Sequence, residues 1–165
     1  MRPIFFKLQL FVEQDQDDLE ASRLKLVALA QALCKVNEIH LLYFPNTPKL
    51  YESGVRYHDE GDVEIWPDIP TILETGWGDC EDLACYRVAE LRAQGVKADP
   101  LIRWRKEKNR FVYHMLVLLP DNVSTRYSYK NDGGRWVEDP SKLLGMGTPE
   151  ATMPIEQFER MIGKR

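Results

Sequence analysis

The chain has 165 residues, 44% of them hydrophobic and 29% charged, with 22 basic against 26 acidic side chains and a formal net charge of −4. A chain this long buries about 70% of the surface its extended form would expose, so it holds a core without disulfides or structural metals, and fibrous and disordered classes are excluded. Mild acidity removes any bulk attraction for nucleic acid or for an anionic membrane, and neither is expected as a partner.

No apolar run approaches the roughly 20 residues needed to span a bilayer. The apolar stretch from Met1 to Val12 is broken by Lys7 and Gln9 and is followed by no small-residue cleavage site, so it does not read as a secretory signal. The expectation is a protein made and kept in a cytosol, or packaged from one. Cys34, Cys80 and Cys85 are an odd number of thiols in a chain that can fold without them, which argues for reduced cysteines.

From Pro3 to Val12 the residues Ile4, Phe6, Leu8, Leu10 and Val12 alternate with Lys7 and Gln9, the pattern of a strand. Asp15, Asp17 and Asp18 then open a helix expected from about Asp17 to Lys35, whose apolar stripe includes Leu19, Leu26, Ala30 and Leu33. Ile39 to Phe44 reads equally as a strand or as the entry to a loop. Between Pro45 and Gly78 the density of proline and glycine predicts a long ordered loop region, and Tyr51, Tyr57, Trp66 and Trp77 predict that it packs as one wall of a cleft.

Asp79 to Gln94 reads as the second helix, with Asp79 as N-cap, Asp82 three residues on as in a capping box, and Gly95 closing the end. Strand-like runs follow at Leu101 to Trp104, Phe111 to Leu119 and Arg135 to Glu138, the first two joined as a hairpin through Lys106 to Asn109. Asn131 to Gly134 make a turn, and Pro154 starts a short final helix to Met161. The sheet is expected to be mostly antiparallel and the fold α+β. Nothing marks a second domain, so one is expected over 1–165: a strand and helix over 1–44, a core over about 45–145, and a terminal helix over about 154–162.

Cys80 stands in the first turn of the second helix. Free backbone N–H groups and the positive end of the helix dipole favour a thiolate there, and the same amides can receive the oxyanion that forms when sulfur attacks a carbonyl. A thiolate nucleophile needs a proton carrier, and His114 is the histidine that sits in a strongly strand-like run, Tyr113-His114-Met115-Leu116-Val117. Strand alternation puts His114 on one face with Leu116 and Leu118, from which it is expected to project toward the packed helix. Asp139, at the end of the next strand, can hold the far ring nitrogen and fix the tautomer. The expected order is Cys, His, Asp.

The segments Gly78-Asp79-Cys80-Glu81-Asp82-Leu83-Ala84, Tyr113-His114-Met115-Leu116-Val117 and Val137-Glu138-Asp139-Pro140-Ser141 carry a resemblance to the transglutaminase-like cysteine peptidase superfamily. Tyr51-Glu52-Ser53-Gly54-Val55-Arg56-Tyr57 is similar to a segment preceding the cysteine in small members encoded by bacteriophages. The resemblance covers roughly residues 50 to 145. It implies a papain-like core and cleavage or transfer at a protein or peptide amide without a cofactor: Cys80 forms a thioester, His114 takes and returns a proton, and Asp139 orients it. Water as second substrate makes a peptidase or amidase; an amine makes an acyl transferase. The family often adds an upstream side-chain donor to the oxyanion hole; Tyr51 and Trp66 are candidates, and neither is assigned. The alternative is a non-enzymatic binding or virion-structural protein on the same scaffold.

Plainer readings suit the other polar residues. Cys85, five positions after Cys80, lies about 140° around the helix and reads as core, as does Cys34. Asp82 reads as a cap. Asp59, Glu60, Asp62 and Glu64 lack the alternate-ligand spacing of a calcium loop and read as a solvated loop. His40 and His58 read as packing or surface residues. Arg103 and Arg105, flanking Trp104, suit a substrate groove or solvent equally. A zinc site from Cys80, Cys85 and His114 lacks the usual close ligand pairs, so no metal is expected.

Overall fold

The computed structural model describes residues 19–61, 63–108 and 110–163. The expected strand over 3–12 and the first residues of the expected first helix lie outside the described residues. The remainder is an α+β fold. Its helices are α1 (Leu19–Tyr43), α2 (Ile69–Thr75), α3 (Cys80–Ala93), α4 (Pro140–Leu143) and α5 (Ile155–Met161). Its strands are β1 (Arg56–Tyr57), β2 (Trp77–Gly78), β3 (Asp99–Glu107), β4 (Arg110–Leu118), β5 (Tyr129–Lys130) and β6 (Trp136–Glu138). An antiparallel four-stranded sheet runs in the order β3-β4-β6-β5, and β1 and β2 pair in parallel apart from it.

α1 outruns its expected end at Lys35 because its buried stripe does. Leu26, Ala30, Leu33, Cys34 and Asn37 recur at helical spacing, and Leu41 continues them into a second apolar cluster. The stretch from Ile39 is therefore helical, and it stops where Pro45 forbids continuation. Asn37 Oδ1 accepts the Ile69 N–H at 3.0 Å, tying α1 to α2.

α3 is the central element. Residues Cys80 to Leu91 are all buried, and α3 divides two apolar clusters. Cys85 and Val88 pack with α1 and with Ile102, Met115 and Val117 of the sheet, while Leu83 and Tyr86 pack with Leu50, Val55, Ile69 and Ile72. The β3–β4 hairpin is tighter than expected: the strands pair down to Glu107 with Arg110, and Lys108 turns the chain with a positive φ of 52°.

A buried ion network fastens the sheet to this helix. Arg87 of α3 grips Glu138 of β6 through two bonds, Nε to Oε2 at 2.8 Å and Nη2 to Oε1 at 3.1 Å. Its Nη1 reaches Glu90 Oε2 at 3.0 Å. Tyr51 and Thr125 donate their hydroxyls to the Glu138 carboxylate, and Tyr51 and Tyr127 flank the guanidinium. With the Arg87 side chain 9% exposed and Glu138 fully buried, removing one partner strands charge in the core. Arg87→Ala is expected to lower the unfolding free energy by about 3–5 kcal/mol, read from urea unfolding. Arg23→Ala, which breaks the exposed pair with Glu20, is expected to change little.

Candidate active site

The chain arrives at Cys80 through a short, closely fitted approach. Gly76 ends α2 in the left-handed region at φ 82°, and Trp77 and Gly78 pair with Arg56 and Tyr57. A Cβ on Gly78 would stand 3.0 Å from Asp82 Cβ, so this position is held to glycine by the side chain of the next helical turn. Asp82 Oδ2 accepts the Asp79 N–H at 3.1 Å, the capping role expected from its spacing. Cys80 is thereby fixed in the first turn of α3, 8% exposed, on the wall of a cavity of about 710 Å³.

His114 and Asp139 are brought together. Nε2 of the imidazole lies 3.1 and 3.2 Å from the two carboxylate oxygens of Asp139, and Nδ1 makes no hydrogen bond among the described residues. Asp139 also caps α4, accepting the Lys142 N–H at 3.3 Å, and Lys142 Nζ stands 3.7 Å from it. Burial alone would raise the Asp139 carboxyl, but the hydrogen bond and charge of His114, with Lys142, hold it below the usual carboxylate range.

His114 and Cys80 line the same cavity, yet no hydrogen bond joins them; the thiol donates to Glu81 Oε2 at 3.2 Å. The Met115 backbone lies close enough to the sulfur to favour its ionised form, which places Cys80 beside the residue after His114. β6 pairs with β4 only at Val117 and Leu118, so the edge of β4 at His114 and Met115 is uncovered by a strand on that side. The expected alternation holds, but α3 covers the other face: Met115 and Val117 enter its core, and His114 meets the cavity at the strand edge.

The electrostatics differ from the expectation of an activated thiol. Burial, then the charge of Asp79, pushes the Cys80 thiol up, against the smaller opposing effects of the Met115 backbone and the Glu81 hydrogen bond. The helix dipole amounts to about half a charge at the end of α3, and burial together with nearby acids acts against it. These include Asp59 and Glu64. Parallel pairing of β1 with β2, continued by the His58 N–H to Gly78 C=O bond at 3.0 Å, lays the acidic loop over the start of α3, so it is a wall of the cavity and not simply a solvated loop. Asp62 lies outside the described residues. Burial pushes Asp79 up to about 7 and Glu60 up to about 8, with neighbouring acids adding to it, and it raises Glu81 and Asp82 well above the ordinary range.

Several residues around the sulfur gave no signal in the sequence. Tyr113 donates its hydroxyl to Glu64 Oε2 at 3.0 Å, closing the acidic loop onto β4. Trp104 lines the cavity with a buried Nε1–H that has no partner among the described residues. A buried orphan donor in a native fold calls for an acceptor, and a single sequence cannot reveal one. Arg103 and Arg105, weighed from the sequence for a substrate groove, line the cavity too, Arg105 paired with Glu107. Of the weighed oxyanion donors, Tyr51 is committed to Glu138, and Trp66 packs half-buried against the main core.

The remaining polar residues belong to packing. Cys85 Sγ contacts the Ala30 carbonyl oxygen at 3.6 Å and Met115 Sδ at 4.0 Å, well inside the core. His40 contacts Thr47 Oγ1 at 3.0 Å and stacks on Phe44. His58 is buried between Trp77 and Phe158, with Nε2 2.9 Å from the Met153 carbonyl oxygen. Asp79, Cys80 and Glu81 bring one ligand atom each within 4.8 Å of one another, a set too sparse for the six to eight oxygens a hard cation takes. Among the described residues no helix is long and apolar enough to cross a membrane. Comparison of the chain with family models, with curated proteins and with solved structures finds no match.

The raised acids make folding pH-dependent with a definite sign. Asp79 and Glu60 keep their protons to about 7 and 8 when folded, against 3.8 and 4.5 as free groups, so across that window the native state holds more protons than the unfolded one. Stability therefore falls as pH rises from about 4 to 8. Asp139 and Glu138, held low, oppose this only below their unfolded values, where their contribution is lost. The thermal midpoint is expected to be several degrees lower at pH 8.5 than at pH 6, by differential scanning fluorimetry, with a smaller drop for Glu60→Gln. A midpoint that rises over this range rules out the raised acids.

Proposed function

We propose that the protein is a thiol-dependent hydrolase or acyl transferase acting on protein or peptide amides, with a transglutaminase-like, papain-like core and the triad Cys80, His114 and Asp139. The observation that carries this reading is the His114–Asp139 pair: with Nε2 held by the carboxylate, Nδ1 is left for the cavity that Cys80 lines.

The chemistry balances on these groups. The thiol proton passes to His114 Nδ1, the sulfur attacks the amide carbonyl, and a carbon–sulfur bond forms. First-turn amides of α3 take the oxyanion, and the orphan Nε1–H of Trp104 offers a further donor for a substrate carbonyl. Collapse breaks the carbon–nitrogen bond as His114 returns its proton to the departing amine. Water or a second amine then displaces the sulfur from the thioester. No cofactor takes part. The proposed setting is cytoplasmic, in a host cell or a virion.

The resting contact of the thiol is with Glu81, so attack requires the side chain to turn toward His114. That contact and the buried sulfur favour a second reading, a non-catalytic binding or virion-assembly protein that keeps the scaffold. Iodoacetamide separates the two. Catalysis predicts that Cys80, which borders the cavity, is alkylated faster than the fully buried Cys34 and Cys85, that the rate climbs toward alkaline pH, and that His114→Ala slows it. Equal sluggishness at all three thiols, or no effect of His114→Ala, supports the scaffold. Incubation with host lysate, wild type against Cys80→Ser, then reads new protein termini for hydrolysis or new isopeptide links for transfer.

A further inference from the structure

Elsewhere in the described fold, buried acids have cations: Glu138 and Glu90 hold Arg87, and Asp139 holds His114 and Lys142. The acids around Cys80 do not. Among the described residues, Asp59, Glu60, Glu64, Asp79, Glu81 and Asp82 form no salt bridge. Two of the residues that line the cavity hold unsatisfied oxygens: Asp79 Oδ1 and Glu81 Oε1 are buried and accept no hydrogen bond among the described residues, on residues 8% and 1% exposed. Buried carboxyls with no cation beside them keep their protons, and a ligand that brings positive charge to the cavity wall lets them ionise.

We propose that this wall, formed by Asp59, Glu64, Asp79 and Glu81, is a subsite for an ammonium or guanidinium group: a lysine or arginine side chain of the polypeptide whose amide the sulfur attacks. The proposal rests on the thiol chemistry proposed above and adds the charge of its substrate. A bare metal ion fits less well. The converging donors are two carboxylates and a sulfur, well short of the six to eight oxygens a hard cation takes. A long cationic side chain fits the rest of the lining, because the rings of Tyr57, Trp104 and Tyr113 offer apolar surface to its methylene stem and π-faces to its charge.

The timing of the chemistry places the cation on the acyl donor. The acids oppose a thiolate at the moment of attack, before any thioester exists. A cation carried by the donor neutralises them at that step, whereas one carried by the acceptor amine arrives after it. Arg103, Arg105 and Lys142 line the same cavity but form no salt bridge with these acids, Arg105 being paired with Glu107 and Lys142 with Asp139.

Two measurements keep this inference separate from the catalytic reading. In the first, Cys80→Ala protein is titrated with Nα-acetyl-lysine methylamide and the corresponding arginine, norleucine and glutamate derivatives, followed by tryptophan fluorescence. The cationic derivatives are expected to bind at least about tenfold tighter, and the advantage to shrink with salt and in Asp59→Asn/Glu64→Gln, whose altered side chains are exposed and leave the core intact. Equal binding of all four overturns the subsite, as does tighter binding of calcium or zinc that excludes the lysine derivative. In the second, wild-type Cys80 is alkylated with 2-bromoethylammonium, iodoacetamide and iodoacetate, each rate divided by that with glutathione. The cation is expected to be fastest and the anion slowest. Reactive Cys80 with no charge preference overturns the subsite and leaves the catalytic reading standing. Cation binding with an inert Cys80 does the reverse.

Discussion

The structure around the cavity depends on the two-point grip of Arg87 on Glu138. Arg87 lies seven residues, two helical turns, after Cys80, so both side chains leave the same face of α3. The residue after Glu138 is Asp139. Pinning β6 to α3 therefore fixes where that carboxylate sits, and it in turn holds His114 by Nε2. Hydroxyls from Tyr51 and Thr125 complete the Glu138 shell, so a group that would be costly to bury alone is fully paired. Three residues separated along the chain are thus registered through one helix face.

The sulfur sits in an electrostatic conflict. A helix N-terminus favours a thiolate, yet burial above all, and then the charge of Asp79, favours the neutral thiol. The acids around the sulfur resist ionising themselves, since each is buried near the others. Elsewhere in the fold evolution has supplied arginine or lysine to such groups. Here the basic side chains of the same cavity, Arg103, Arg105 and Lys142, form no salt bridge with these acids. A thiol turned to Glu81, in one cavity with an imidazole oriented by Asp139, is the arrangement on which the proposed cation subsite rests.

Much of this was legible from local chemistry. The α3 boundaries follow from Asp79, Asp82 and Gly95, because caps are local signals. The β3–β4 hairpin and the placing of Asp139 at a strand end follow from alternation and from Pro140. What escaped is nonlocal. Two-residue parallel pairing of β1 with β2 leaves no periodic trace, yet it carries the acidic loop over Cys80. Which face of β4 meets α3 depends on packing that alternation alone leaves open. Arg87 and Glu90 are buried without any local signal of it, since their partners Glu138 and Leu50 come from distant segments. The extension of α1 past Lys35 was hidden by an apolar run too short to reveal its period.

The central claim is that Cys80 and His114 exchange a proton, although they are not hydrogen-bonded at rest. Imidazole NMR of His114 tests it directly, comparing the native protein with protein whose Cys80 sulfur is capped by a methylthio group. Proton exchange between the two predicts that the titration midpoint of His114 moves when the sulfur is capped, while the Nε2 proton stays hydrogen-bonded to Asp139. A midpoint that does not move contradicts the triad.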